Sequence, residues 1–172
     1  YAKDRLQGRA ISGTKAPGFS PQLYPWMVGR ARESGRTVIV DYRGDDLVAT
    51  IPRRPTVIKP NFAEFARTFL PGTDVREGAD NEDLVEAVRR HMLRLFHDEG
   101  ILTVLTRGRF STLYVDGDDV REERPPDVQV VNTTGSGDAF TAGMAAALGR
   151  GLPMSRAVAA GHDCAVRNAA LP

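Results

Sequence analysis

Short β-branched and aliphatic runs alternate along this chain with longer segments whose apolar residues recur at helical spacing. The run at Thr37–Asp41 reads Thr-Val-Ile-Val-Asp and is apolar on both faces of a strand. Strands of that kind belong to parallel sheets that are covered by helices on both sides. The pattern therefore predicts an α/β fold, with a three-layer α/β/α core and a mostly parallel sheet.

The same periodicities give a set of strands, helices and helix boundaries. Strands are predicted at residues 37–41, 56–59, 101–106 and 110–115. Helices are predicted at about residues 21–34, 61–70, 82–99, 138–148 and 154–169. We expect Ser20 to cap the first helix and Asp80 or Asn81 to cap the third, with Gly35 and Gly100 at their ends.

The remaining segments are read as turns, loops and one antiparallel extension. Asp116-Gly117 follows the strand at residues 110–115, and Asp-Gly is typical of a hairpin turn. The apolar run at residues 128–131 is expected to be a strand that leads into a glycine-rich loop. Residues 42–55, with three arginines and two prolines, are expected to form a loop.

Composition restricts the functional class. The chain has 172 residues, of which 41% are apolar, as expected for one globular domain at residues 1–172. The net charge of +1 gives no electrostatic reason to expect a nucleic acid or a membrane surface as partner. Cys164 is the only cysteine, so it forms no internal disulfide, and a reducing, cytoplasmic location is expected.

The glycine-rich segment Asn132-Thr-Thr-Gly-Ser-Gly-Asp-Ala-Phe-Thr-Ala-Gly143 suggests an anion site. A glycine-rich loop at a helix start leaves backbone N–H groups unpaired, and the helix dipole adds positive potential to them. Asp138 has two open interpretations, because a carboxylate at such a place repels phosphate. It is either the N-cap of the following helix or a base that takes a proton from an attacking hydroxyl.

Four segments in this order resemble the phosphofructokinase-B, ribokinase-like family of carbohydrate kinases. They are Val38-Ile-Val-Asp41, Ile58-Lys-Pro-Asn-Phe-Ala-Glu64, Leu105-Thr-Arg-Gly108 and Asn132-Thr-Thr-Gly-Ser-Gly-Asp138. Ser12-Gly13 with Pro17-Gly18 resembles in particular the 1-phosphofructokinase and tagatose-6-phosphate kinase branch. The resemblance implies a ribokinase-like core, with ATP and Mg²⁺ as cofactors.

The resemblance also implies roles for individual residues. Asp138 would be the catalytic base, and the loop amides of Gly135, Ser136 and Gly137 would stabilise the transferring phosphoryl group. The nucleotide would be bound by Lys59, Asn61, Glu64, Thr106, Gly108 and Asn168, with Glu64 reaching Mg²⁺ through water. Further charged residues expected near the phosphates are Asp41, Arg43, Lys15, Arg107 and Arg109.

Structural interpretations stand beside these roles. The glycine loop would also serve as a tight strand-to-helix turn. Asn61 and Glu64 are spaced as a capping box. Lys59 would simply be solvated, and Asn168 would be one of many exposed helical asparagines.

The implied activity is ATP-dependent phosphoryl transfer to a hydroxyl of a sugar or sugar phosphate. The alternative is a non-catalytic nucleotide-binding or regulatory module on the same scaffold. Family members are about twice this length, so we expect residues 1–172 to be the C-terminal part of a longer kinase. The lid and most sugar contacts would then lie in the N-terminal part, and the complete protein would form a homodimer.

Overall fold

A computed structural model describes residues 8–72 and 82–172 of the chain. Within them, one six-stranded sheet has its strands in sequential order. The strands are β1 (Gly8–Ser12), β2 (Thr37–Asp41), β3 (Val57–Ile58), β4 (Leu102–Leu105), β5 (Thr112–Asp116) and β6 (Asp119–Glu123). The first four strands pair in parallel, and β5 and β6 are antiparallel to their neighbours. The predicted mostly parallel sheet with a hairpin is confirmed.

In the described part of the chain, six α-helices cover the two faces of this sheet. They are α1 (Leu23–Glu33), α2 (Gly44–Thr50), α3 (Phe62–Phe69), α4 (Glu82–Glu99), α5 (Ser136–Leu148) and α6 (Met154–Ala169). A single 3₁₀ turn, Ile51–Arg53, follows α2. No helix in the described ranges combines the length and apolar composition that a membrane crossing needs.

Alternate residues of β2 point into two separate cores. Val38 and Val40 pack with α1, α2, α3 and α4 on one face, whereas Ile39 packs with α5 and α6 on the other. All three β2 residues are fully buried. The three-layer α/β/α arrangement therefore follows from a strand that is apolar on both faces.

The packing of α5 against α6 depends on small residues. A Cβ on Gly143 would overlap the carbonyl oxygen of Ala160, and a Cβ on Gly161 would lie 2.9 Å from the ring of Phe140. The two helices approach closely because both positions lack a side chain. This packing holds the start of α5 in a fixed position at the sheet edge.

Two segments differ from their predicted secondary structure. Residues 42–55 are not simply a loop, because α2 occupies Gly44–Thr50 with Leu47 and Thr50 buried. The run at residues 128–131 is not a strand, and Val130 and Val131 are 57% and 58% exposed. It lies beyond β6, the last strand of the described sheet, where no further strand is available to pair with it.

Some of the predicted helix starts and ends are confirmed, and others are wrong. The first helix begins at Leu23 with Gln22 at the N-cap, not at Ser20, whose hydroxyl instead accepts a hydrogen bond from the Gln22 N–H at 3.1 Å. Gly35 and Gly100 follow the ends of α1 and α4 with positive φ, as predicted. The predicted caps of α4, Asp80 and Asn81, lie outside the described residues.

Candidate active site

The carboxyl ends of the parallel strands and the amino terminus of α5 meet at one edge of the sheet. They enclose a cleft of about 590 Å³. Ser12 and Asp41 end β1 and β2, Lys59 and Thr106 directly follow β3 and β4, and Asp138 comes from α5. Open α/β sheets place their ligands at this edge, because the strand ends and helix starts converge there.

Asp138 is the third residue of α5 and lines the cleft. The N-cap position belongs to Gly135, so the interpretation of Asp138 as N-cap is wrong. Its Oδ1 accepts a hydrogen bond from the Ser12 hydroxyl at 2.9 Å. This contact joins residues that are 126 positions apart, and no sequence pattern pointed to it.

The glycine-rich loop has the geometry of an anion site. Gly135 has φ of 79°, a conformation that only glycine adopts without strain. The Ser136 N–H already donates to the carbonyl of Thr133 at 3.1 Å. Among the described residues, no oxygen accepts a hydrogen bond from the N–H of Gly135, Gly137 or Asp138. These three amides, at the positive end of the α5 dipole, are the donors available to a ligand in the cleft.

Asn168 fixes this loop from α6. Its Nδ2 donates to the carbonyl of Thr134 at 2.8 Å and lies 3.2 Å from the Ser136 hydroxyl. Asn132 closes the loop from the other side, since its Oδ1 accepts from the Thr134 N–H at 2.9 Å. Asn168 is half-buried and does not line the cleft, so it is not simply an exposed helical asparagine.

Lys59 is buried rather than solvated, with an exposed fraction of 2%. Its Nζ lies 3.1 Å from Oδ2 of Asp41 and 5.6 Å from the ring centroid of Phe140. The interpretation of Lys59 as a solvated side chain is therefore wrong. Lys59 directly follows β3 and lines the cleft, where Asp41 balances its charge.

Asn61 and Glu64 form the predicted capping box at the start of α3. The Glu64 N–H donates to Asn61 Oδ1 at 2.8 Å, and the Asn61 N–H donates to Glu64 Oε2 at 3.1 Å. Glu64 Oε1 also forms an ion pair with Arg43 at 2.7 Å. All three side chains line the cleft, so the cap and a ligand-binding role are compatible.

The turn after β4 contributes less than the sequence indicated. Thr106 lines the cleft and forms a parallel bridge with Asn61. Gly108 adopts φ of 61° in the turn and does not line the cleft. The Arg107 guanidinium lies 5.3 Å from the Phe62 ring centroid, and its side chain is only 14% exposed.

Lys15 also lies beside the cleft, but its ammonium group already forms an ion pair with Asp46. Its Nζ is 2.6 Å from Oδ1 of Asp46 and 5.4 Å from the ring centroid of Tyr24. Lys15 therefore ties the loop after β1 to the first turn of α2. Asp46 lines the cleft, whereas Lys15 does not.

The pairing of the cleft carboxylates separates Asp138 from the others. Asp41 pairs with Lys59, Glu64 pairs with Arg43, and Asp46 pairs with Lys15. Within the described part of the chain, Asp138 has no ion-pair partner and has only the Ser12 hydroxyl as a hydrogen-bond donor. Asp138 is thus the cleft carboxylate that is available to accept a proton.

Tyr42 also lines the cleft but does not compete for that role. Its ring stacks on Tyr24 with centroids 4.4 Å apart, and its hydroxyl lies 3.0 Å from the Thr50 hydroxyl. Burial raises the pKa of Tyr42 well above its usual value. The phenol therefore stays protonated at neutral pH.

Comparison with known proteins agrees with this architecture. The family model for the pfkB family carbohydrate kinases matches residues 17–169. The 1-phosphofructokinase of Escherichia coli strain K12 is 30% identical over 138 residues, which cover 78% of this chain and 40% of that protein.

Two solved structures share the fold. Phosphofructokinase-2 from Escherichia coli in complex with potassium superposes with a TM-score of 0.79 at 21% identity, covering 95% of this chain and 51% of that one. Adenosine kinase from Schistosoma mansoni in complex with 2-fluoroadenosine gives a TM-score of 0.76 at 21% identity, covering 96% and 51%. The chain thus spans about half the length of the relatives it matches, or less. It belongs to the pfkB family of carbohydrate kinases.

Proposed function

We propose that this chain carries out ATP-dependent phosphoryl transfer to a hydroxyl group of a sugar or sugar phosphate, as in a 1-phosphofructokinase-like kinase. Membership of the carbohydrate kinase family supports the reaction class. The observation that carries the proposal is the position of Asp138, an unpaired carboxylate next to the vacant amides at the start of α5. A simple phosphate-binding site gains nothing from a carboxylate at that position.

Asp138 accepts the proton of the acceptor hydroxyl as its oxygen attacks the γ-phosphoryl group. ADP leaves from the opposite side, so the phosphorus–oxygen bond to the acceptor forms as the bond to ADP breaks. A positioned base typically contributes about 10²- to 10⁴-fold in rate. The Ser12 hydroxyl orients the carboxylate before the acceptor arrives.

The amides of Gly137 and Asp138, with that of Gly135, stabilise the charge on the transferring group. Lys59, Asn61 and Thr106 line the cleft at the ends of β3 and β4, and we assign them to the nucleotide. Gly108 and Asn168 do not line the cleft. They would act indirectly, Gly108 in the turn after β4 and Asn168 through its bonds to the glycine loop.

The cleft fits a Mg²⁺ ion that arrives with the nucleotide. Among the described residues, no group of three acidic or metal-ligating side chains forms a metal cage. Mg²⁺ usually retains several waters and is held by substrate phosphates with few protein contacts. Glu64, which lines the cleft, would contact such an ion through water, and the ion would neutralise charge on the phosphates.

We further propose that residues 1–172 are the C-terminal, nucleotide-binding part of a longer kinase. The partial coverage of the relatives supports this division. The additional N-terminal part would supply most acceptor contacts and the dimer contact. A cytoplasmic location is proposed on the same functional grounds.

The test is the Asp138→Asn variant of the complete protein, assayed with Mg–ATP and a panel of sugars and sugar phosphates. We expect turnover to fall by about 10²- to 10⁴-fold while Mg–ATP still binds, because only proton acceptance is lost. Asp45→Asn is the matched control, since Asp45 lies in the first turn of α2 and is exposed. Near-normal turnover by Asp138→Asn would show that Asp138 is not the base.

Calorimetry separates the kinase from a non-catalytic nucleotide-binding module. A kinase binds both Mg–ATP and an acceptor in the complete protein and forms ADP when both are present. Nucleotide binding with no ADP formed with any acceptor in the panel would favour the module.

A further inference from the structure

The Thr141 hydroxyl connects the first turn of α5 to the carboxyl end of β2. Thr141 lies one turn after Gly137 and is 3% exposed. Its Oγ1 lies 2.6 Å from Oδ2 of Asp41, at the end of β2, and 3.0 Å from the carbonyl oxygen of Gly137. The contact with Asp41 spans 100 residues of sequence.

Local helix geometry explains only one of these contacts. Threonine hydroxyls inside helices often bond to the carbonyl four residues earlier, which here is that of Gly137. The hydroxyl has a single proton, and the shorter, charge-assisted contact is with the Asp41 carboxylate. The contact between Thr141 and Asp41, which lies outside the helix, is therefore the one that needs a separate explanation.

Asp41 is itself fixed in place by the sheet. Its Oδ2 also lies 3.1 Å from Lys59 Nζ, and its carbonyl oxygen accepts a hydrogen bond from the Gly13 N–H at 3.1 Å. The Lys59 side chain is 3% exposed and that of Asp41 is 15% exposed, so water screens the group little. Thr141 thus attaches α5 to a charged pair held by β2 and β3.

We propose that Thr141 is a positioning residue, whose hydroxyl anchors the first turn of α5 so that the Gly137 amide and the Asp138 carboxylate face the bound phosphoryl group. This inference rests on the proposed function, since it assigns to Thr141 the placement of the groups that act there. Reacting groups must be held within a fraction of an ångström, and a shift of about 1 Å costs on the order of 10²-fold in rate.

The test compares Thr141→Val with Thr141→Ser in the complete protein. Valine keeps the branched shape but removes the hydroxyl, whereas serine keeps the hydroxyl. We expect Thr141→Val to lower kcat by about 10- to 100-fold with a nearly unchanged KM for Mg–ATP. Thr141→Ser is expected to stay within about threefold of the wild type, because the bond to Asp41 is retained.

Thr103→Val is the matched control. Thr103 is also fully buried, and its hydroxyl has no hydrogen-bond partner within the described residues. The same substitution at Thr103 therefore removes no bond, and we expect its activity to equal that of the wild type. A loss of activity in both valine variants would point to a general effect of the substitution and overturn the inference.

Hydrogen–deuterium exchange of the segment 133–141 gives a readout that does not depend on catalysis. We expect faster exchange there in Thr141→Val and unchanged exchange in Thr141→Ser and Thr103→Val. If the wild type transfers no phosphoryl group, the proposed function fails, and this measurement still decides whether Thr141 anchors the turn. If Thr141→Val had the same exchange rate in this segment and the same kcat as the wild type, the anchoring role would be overturned.

Thr141→Ala is the second variant if Thr141→Val does not fold at the assay temperature. It removes the hydroxyl without adding a methyl group beside the carboxylate, and the same fall in kcat is expected. If both variants are unfolded by circular dichroism, the hydroxyl serves the fold as a whole and the positioning role is rejected.

Discussion

Substituting Gly137 by alanine is expected to change stability and catalysis in opposite directions. Gly137 is the second residue of α5, its φ is not positive, and an added Cβ would meet no atom within 4 Å. Alanine therefore fits the fold, and it lowers the conformational entropy of the unfolded chain. The expected gain in the free energy of unfolding is about 0.5–1 kcal/mol, which raises Tm by roughly 2 °C.

The same methyl group projects into open space at the edge of the cleft that Gly137 lines. It would prevent a phosphoryl oxygen from reaching the Gly137 amide at hydrogen-bond distance. Removing one such donor costs about 3–4 kcal/mol of transition-state stabilisation, or about 10²- to 10³-fold in kcat. A variant that is more stable and nearly inactive is difficult to explain by damage to the fold.

The assay is steady-state phosphoryl transfer in the complete protein, measured beside thermal unfolding. Gly29→Ala is the matched control, because Gly29 lies inside α1 and its added Cβ would meet only the Arg53 side chain, at 3.7 Å. It is expected to gain similar stability with unchanged activity. Wild-type kcat in Gly137→Ala would refute the assignment of the Gly137 amide to the transferring phosphoryl group.

Three further substitutions test the surroundings of the site. Lys59→Met should lower the free energy of unfolding by about 3 kcal/mol and weaken Mg–ATP binding by calorimetry, because Asp41 loses its buried counter-charge. Burial, with Arg94 as a smaller cause, lowers the pKa of His91 to about 4. The unfolded state therefore binds a proton that the folded state does not, and stability falls as pH drops from about 6.5 to 4, by about 3 kcal/mol. His91→Gln should remove that part of the pH dependence in urea titrations. Gly143→Ala should cost about 1–3 kcal/mol in thermal unfolding, since the new Cβ overlaps a backbone carbonyl of α6.

Each of these three predictions has a contradicting result. Unchanged stability and nucleotide affinity in Lys59→Met would mean that its charge contributes nothing at the cleft. The same pH dependence in His91→Gln as in the wild type would assign the effect to other groups, such as His162, whose pKa burial also lowers. A Gly143→Ala variant as stable as Gly29→Ala would show that α5 and α6 tolerate a larger separation.

The sheet was predictable because its strands carry a pattern that only one environment satisfies. Thr37–Asp41 was predicted with its observed bounds, since a run that is apolar on both faces must be covered on both sides. α2 was missed because two prolines, which are typical of loops, closely follow its seven residues. Its sequence signal was the pair of acidic residues in the first turn, whereas the burial of Leu47 and Thr50 is visible only in the fold.

The apolar run at residues 128–131 shows the opposite error. Composition alone suggested a strand, but a strand also needs a neighbour, and the described sheet ends at β6. The backbone instead joins the end of α6, where the N–H groups of Val131 and Asn132 donate to the carbonyl of Ala169 at 2.8 and 3.1 Å. Pairing partners are a property of the whole fold and cannot be read from four residues.

The candidate site was predictable where one short segment carries it. The glycine loop, Asp138 and the Asn61–Glu64 capping box are local patterns with a direct physical meaning. The contacts of Asp138 with Ser12 and of Asp41 with Thr141 join distant segments, and only the folded chain brings them together. The sequence could therefore point to Asp138 and the loop, but not to the hydroxyl groups that contact Asp138 and Asp41.

The most direct test of the account is the structure of the complete protein with a non-hydrolysable Mg–ATP analogue. We expect the terminal phosphate at about 3 Å from the Gly137 amide nitrogen, a hydrogen-bond distance. We also expect the Asp138 carboxylate beside the acceptor side of that phosphate. A terminal phosphate bound away from the start of α5, or an Asp138 side chain turned out of the cleft, would contradict it.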